Sequence, residues 1–193
     1  MKEKDLLQCI DAGAAKEYLK DMIRINSVTG NEAELADYIA EKLKGFGFDS
    51  VKKQIVDKDR YNVIAELCGG KPGNTILLTG HMDTVSAGEG WLTDPFEPVE
   101  KDGRIYGRGS NDMKAGIAVV LSVVKIAAEN RDMLPGKIVV AFVSDEEAYS
   151  AGVIALTKEG IKADFGISAE PEYESMIVGA AGKILIRIEV SGL

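Results

Sequence analysis

The apolar residues of this chain recur with two periods, one helical and one extended. From Ile10 to Arg24, the residues Ala14, Ala15, Tyr18, Leu19, Met22 and Ile23 return at three- and four-residue steps. That is the stripe of an amphipathic helix, which the sequence ends near Asn26. A second helix is predicted from Asn31, which can cap it with Glu34 three residues on, through Leu35, Tyr38, Ile39 and Leu43 to Gly45. Tyr61 to Leu67 and Thr75 to Thr79 read as strands. The turn formers between them, Gly69, Gly70, Lys71, Pro72, Gly73 and Asn74, suggest a hairpin. After a long irregular stretch, Met113 to Glu129 places Ile117, Val120, Leu121, Val124 and Ala128 on one helical side. A Pro135-Gly136 turn, a β-branched strand from Lys137 to Val143, a short helix from Val153 to Glu159 and a strand from Asp164 to Ser168 follow. Such alternation predicts an α/β fold with a largely parallel sheet, in which functional residues gather at the carboxyl ends of strands. Finally, Ile184, Ile186 and Ile188 alternate with Lys183, Leu185, Arg187 and Glu189, as in a strand with one wetter face. No partner strand or covering helix follows before Leu193, so the sequence reads as ending within a unit.

Composition narrows the chemistry. With 46% hydrophobic and 28% charged residues, 193 residues suffice for an ordinary core. The net charge, 23 basic minus 31 acidic residues or -8, argues against nucleic acid as a partner, since a phosphate backbone would be repelled. No apolar run approaches the roughly 20 residues of a membrane span. The opening MKEKDLLQCI lacks the order of an export signal, so no membrane association and a cytoplasmic location are expected. Cys9 and Cys68 form neither a disulfide framework nor a metal spacing, and read as buried thiols. Neither lies in a context that would activate a nucleophile. His81 is the only histidine, so a multi-histidine zinc site within this chain is excluded and any metal site must be mostly carboxylate.

Four places bring such groups to strand ends or helix starts. His81 closes the run Ile76-Leu77-Leu78-Thr79-Gly80, with Asp83 two residues on, which fits an imidazole ligand and the carboxylate that orients it. Taken alone, the pair is more often an ordinary hydrogen bond. Asp112 precedes the helix at Met113, after Gly107-Arg108-Gly109-Ser110-Asn111, where the dipole would keep it ionised; a plain N-cap is the competing reading. Those glycines lack the rest of a phosphate-loop motif. Asp145, Glu146 and Glu147 follow the strand ending at Val143. If extended, Glu146 and Glu147 would face opposite ways and do adjacent jobs; otherwise they are a solvated helix start. Glu170 follows the strand ending at Ser168. Together these residues supply one imidazole and several oxygens, a set suited to zinc, cobalt or manganese.

The order His81-x-Asp83, Trp91-x-x-Asp94-Pro95-Phe96, Asp102-Gly103, Gly107-Arg108-Gly109, Asp112-Met113-Lys114-x-Gly116, Glu146-Glu147 and Glu170-Pro171 resembles peptidase family M20. This family includes aminoacylase, acetylornithine deacetylase, succinyl-diaminopimelate desuccinylase and glutamate carboxypeptidase. The resemblance implies a three-layer αβα fold of the zinc-peptidase kind, with a mixed, largely parallel central sheet. It implies residues 1–178 as the N-terminal part of the catalytic domain and 179–193 as the start of a lid domain through which the parent protein would form a homodimer. It further implies two divalent cations, zinc first and cobalt or manganese as alternatives. Asp112 would bridge them, His81 and Glu170 would complete one site, and Glu147 would belong to the other. Asp83 would orient His81. Glu146 would be the general base, acting on a bridging water that attacks the amide of an N-acyl amino acid or small peptide. The family's late histidine, which completes the Glu147 site, is absent here, and Ala115 and Ser86 depart from its usual residues. A chain so incomplete would be at most weakly active, and a non-catalytic metal-binding or interaction module of the same fold is the alternative.

Overall fold

The computed structural model describes residues 9, 11–171 and 179. Helix α1, Ala12–Arg24, starts at Asp11, whose Oδ1 accepts the amides of Gly13 and Ala14 at 2.8 and 3.1 Å. This cap explains why the helix begins two residues later than the apolar stripe. Helix α2 is Ala33–Gly45. Its start corrects the expected Asn31 cap: Glu32 occupies the N-cap position and makes no side-chain cap bond, its carboxylate being committed to Arg60. Its end is also displaced. Gly45 lies inside the helix, and the left-handed residue is Gly47 at φ 84°. Gly47 N–H donates to the Lys44 carbonyl and Phe48 N–H to that of Leu43, which is a Schellman closure with Phe48 and Leu43 both buried.

The central sheet contains β1 (Ser50–Asp57), β2 (Arg60–Cys68), β3 (Lys71–His81), β6 (Pro135–Val143) and β7 (Phe165–Ser168), in the order β1-β2-β6-β3-β7. Strands β4 (Val99–Lys101) and β5 (Arg104–Tyr106) form a separate hairpin within the irregular stretch. The sheet is mixed: β1–β2 and β2–β6 are antiparallel, while β3 runs parallel to both β6 and β7. The glycine-rich segment between β2 and β3 is therefore not a hairpin turn, as β6 lies between the two strands it connects. The hairpin is instead β1–β2, turning at Lys58, which has φ 40°. Its first strand is mostly exposed, which hides it from a search for buried apolar runs.

Helix α3, Lys114–Glu129, buries the expected Ile117, Val120, Leu121 and Val124, and α4 is Ala151–Thr157. Alternation along the strands sends Val63, Ala65, Leu67, Ile138, Val140 and Phe142 into one cluster with Met22, Ile23, Leu35, Ile39, Ile117 and Leu121 of α1, α2 and α3. Helix α4 packs against β1, β2 and β6, near the buried Ile64, Val139 and Ala141, so the layers are helix, sheet, helix. Both cysteines are exposed rather than buried, since Cys68 is the terminal residue of β2 and Cys9 precedes α1. Among the described residues no helix is long and apolar enough to cross a membrane. The expected strand from Lys183 to Val190, and the lid segment 179–193 apart from Gly179, lie outside the described residues.

Glycine at position 116 lets α3 touch the end of β7. A Cβ there would stand 2.1 Å from the Ala169 carbonyl oxygen and 2.9 Å from the Ala169 Cβ. Gly116→Ala is expected to destabilise the chain by about 1–3 kcal/mol through overpacking. Gly45→Ala, which meets nothing within 4 Å, is expected to stabilise it by about 0.5–1 kcal/mol. Urea unfolding of the two variants checks both signs.

Candidate metal centre

Strand register places the candidate residues. His81 is the last residue of β3 and lies opposite Val143, the last of β6, while Thr79 lies opposite Ser168, the last of β7. The 145–147 turn and Glu170 therefore leave the sheet at the same edge as His81, the carboxyl end of its three parallel strands.

His81 is 2% exposed. Its Nδ1 lies 2.9 Å from the backbone carbonyl of Asp83. A carbonyl can only accept, so Nδ1 carries a proton, and in the neutral ring Nε2 presents its lone pair. That lone pair faces acceptors: Asp112 Oδ1 at 3.0 Å, Glu170 Oε1 at 3.5 Å and Glu146 Oε2 at 4.0 Å. His81, Asp112 and Glu147 each offer a ligand atom, all within 4.8 Å of one another. Two donors bound about 2.0–2.2 Å from one ion stand up to about 4.4 Å apart, so modest adjustment brings this trio around a common cation. A nitrogen lone pair aimed at carboxylate oxygens is stable only with a proton or a cation among them. The donor set accordingly fits a divalent metal.

Electrostatics agree with the geometry. Burial first, then the charge of Asp112, pushes the Glu147 carboxyl above its ordinary range. Burial also raises Glu170, with Asp112, Glu146 and Glu147 adding to the effect and His81 opposing it. For His81, burial disfavours the charged form, but Glu170, Asp83 and Asp112 outweigh it and raise the pKa. Burial and crowding thus both disfavour the charged forms of Glu147 and Glu170, a cost that a bound cation would offset.

Asp83 is wholly buried, and its carboxylate serves chiefly the neighbouring turn. Oδ1 accepts the Glu146 amide at 3.0 Å, and Oδ2 accepts the Glu147 amide at 3.1 Å and the Thr29 hydroxyl at 2.9 Å. Its Oδ1 lies 3.6 Å from His81 Nδ1, beyond hydrogen-bond range, so contact with the ring is made by the Asp83 carbonyl. Residues 146–149 form a turn, neither the extended segment nor the helix start that the sequence allowed. Asp112 is not an N-cap either: Met113 occupies that position without a side-chain cap bond, and Asp112 points to His81.

Several supporting residues escaped the sequence reading. Ser27 Oγ donates to the Met82 carbonyl at 2.8 Å, and Ser27 and Thr29 exchange backbone bonds with Thr84. Lys114, fully buried, donates to the carbonyls of Met22 and Ile25 at 2.8 and 2.9 Å, which ties the Asp112 segment to the C-terminal end of α1. Burial pushes its pKa down to about 7. The two carbonyls, at the negative end of the helix, favour the ammonium form. Met113 Sδ accepts the His81 amide at 2.9 Å. Lys114 and Met113 at least adjoin the recognised Asp112, but Ser27 and Thr29 sit in a loop whose sequence carries no sign of the contact.

Comparison with known proteins follows the same lines. The family model for peptidase family M20/M25/M40 matches residues 77–188, which include every candidate ligand. N-formyl-4-amino-5-aminomethyl-2-methylpyrimidine deformylase of Bacillus subtilis is 36% identical over 164 residues, 83% of this chain and 38% of the relative. Succinyl-diaminopimelate desuccinylase of Nautilia profundicola is 34% identical over 183 residues, 92% of this chain and 47% of the relative. The chain thus spans less than half the length of these relatives. Among solved structures, aminopeptidase PepT from Bacillus cereus aligns with a TM-score of 0.70 at 28% identity, covering 83% of this chain and 43% of the other. Human carnosine dipeptidase 1, at 24% identity and a TM-score of 0.71 over 86% of this chain and 40% of its own, shares the fold.

Asp83→Asn would turn an amide N–H toward a backbone donor in a buried place. It is expected to cost about 1–3 kcal/mol, and Thr29→Val, which deletes one donor to the carboxylate, about 1–2 kcal/mol. Chemical denaturation that leaves Asp83→Asn as stable as the parent would refute the anchoring role.

Proposed function

The chain belongs to peptidase family M20/M25/M40, and from that premise we propose that it forms the N-terminal part of a metal-dependent amide hydrolase, with residues 179–193 opening a lid domain. The observation that carries this reading is His81 Nε2, buried and 3.0 and 3.5 Å from the carboxylate oxygens of Asp112 and Glu170, with Glu147 within reach. His81, Asp112, Glu147 and Glu170 are the residues that would hold two divalent cations, zinc before cobalt or manganese. Bound cations would supply Lewis acidity, polarising the scissile carbonyl and easing deprotonation of water.

The chain's own residues do the rest. Glu146 has a partly exposed carboxylate 4.0 Å from His81 Nε2, and its amide is held by Asp83. It takes a proton from the attacking water and returns it to the departing amine, so the C–N bond breaks with its nitrogen neutralised. Asp83 holds the turn on which Glu146 and Glu147 stand, and its carbonyl sets the tautomer of His81. No protein nucleophile is needed.

The substrate class is an N-acyl amino acid or small peptide. The deformylase and desuccinylase relatives are named for removing an acyl group, and the structural relatives are named as peptidases. The parent protein would be a homodimer through its lid.

In the intact protein, Glu146→Gln is expected to retain metal and lose about 10²–10⁴-fold in kcat; turnover at the parent rate would remove Glu146 as the base. Asp112→Ala is expected to lose metal, read by elemental analysis after dialysis. A binding module without catalysis would take up metal but hydrolyse no N-acyl substrate, so the two assays together separate the readings.

A further inference from the structure

Away from the cation ligands, three charged side chains meet below the acidic turn. Arg60, the first residue of β2, donates from Nε to Glu32 Oε2 at 2.9 Å and from Nη2 to Glu32 Oε1 at 2.5 Å. The same Nη2 reaches Asp145 Oδ1 at 2.7 Å. Glu32 is wholly buried and Asp145 is 2% exposed. The arginine therefore joins the start of α2, the β1–β2 hairpin and the turn after β6, three segments distant in sequence.

Asp145 has φ 69°, a left-handed conformation uncommon outside glycine, and here its own side chain and carbonyl hold it by local hydrogen bonds. Its Oδ2 accepts the amides of Tyr149 and Ala151 at 3.1 and 3.0 Å, and its carbonyl accepts the Ser150 amide at 2.6 Å. Its Oδ1 is left to Arg60. The next two amides, those of Glu146 and Glu147, are held from the other side by Asp83. The turn is thus gripped at residue 145 by Arg60 and at residues 146–147 by Asp83. Helix α2 and its preceding loop support both grips, through Glu32 on one and Thr29 on the other.

We infer that Arg60, backed by Glu32, is a positioning residue for the site: by holding Asp145 it sets the direction in which Glu146 and Glu147 present their carboxylates. This rests on the reading of Glu147 as a ligand and Glu146 as the base. Arg60 itself touches none of the candidate ligands in the hydrogen bonds described. Its influence is through the backbone of the turn.

The test uses the intact protein, as in the assays above, with Co²⁺ alone as the probe. Removing Arg60 by itself would leave two buried carboxylates without their cation and risk unfolding, so Glu32→Met/Arg60→Met removes the arginine together with the more deeply buried acid, an exchange that buried ion pairs often tolerate. Asp145 keeps its two amide donors. The expected result is a folded protein with a lowered thermal midpoint and about tenfold faster hydrogen exchange at the Glu146 and Glu147 amides, with the β6 amides unaffected. Co²⁺ affinity is expected to fall about tenfold, the usual scale for a group that orients a ligand, with a changed visible spectrum. If the double variant does not fold, Arg60→Lys carries the same readouts: it keeps the charge but cannot fork between Glu32 and Asp145. Parent-like exchange at residues 146 and 147, with parent-like Co²⁺ affinity and spectrum, would overturn the inference. Glu147→Gln separates the two proposals. If it weakens Co²⁺ binding while the Arg60 variants do not, the functional reading stands and the positioning role fails. If it leaves Co²⁺ binding unchanged, the ligand assignment fails, and with it Arg60's proposed effect on the site.

Discussion

A single buried carboxylate joins the parts of this site. Asp83 follows the last residue of β3 by two positions and accepts from the Thr29 hydroxyl and the Glu146 and Glu147 amides, while its own carbonyl holds His81. An ionised group out of water survives only when its lone pairs are met. Here the donors come from the α1–α2 loop and the turn after β6. Satisfying that carboxylate therefore draws three remote segments to one point, and the imidazole is oriented by the same residue. Arg60 performs a similar service one residue back, where the two buried acids Glu32 and Asp145 share one guanidinium.

The cost of the arrangement is charge repulsion. Two like charges 4 Å apart oppose each other by about 4 kcal/mol at an effective dielectric near 20, and Asp112, Glu146, Glu147 and Glu170 crowd around one histidine. The raised pKa values of Glu147 and Glu170 express burial first and that repulsion second. Such a cluster does little for stability, and a doubly charged cation is its natural complement. Asp112, Glu147 and Glu170 are thus at once the proposed cation ligands and part of the source of that repulsion. Lys114, the nearest buried cation in sequence, does not relieve it, because its ammonium is turned to the backbone of α1.

Much of this was legible beforehand, and unevenly. Helix α3 announced its buried side because Ile117, Val120, Leu121 and Val124 keep a strict helical period. Strand β6 announced itself by an unbroken apolar run, and β1 did not, since most of its residues face solvent. The ligand candidates stood out because His81 ends one apolar strand and Glu170 comes shortly after another. Arg60 and Glu32 carried no such mark. An arginine at the start of a strand and a glutamate before a helix read as surface residues, and only their partners make them otherwise.

The sequence by itself determined the types of most elements, the layered α/β class, and the inventory of one imidazole among acids that restricts any metal site to carboxylate-rich ligation. These depend on local periodicity and on composition, which need no knowledge of distant contacts. Tertiary structure alone decided that β6 enters between β2 and β3, that Asp112 faces His81 instead of capping a helix, and that Asp83 grips the acidic turn. Each of these outcomes pairs segments dozens of residues apart. Their free energy comes from mutual burial and from satisfying polar groups that no local stretch can satisfy alone.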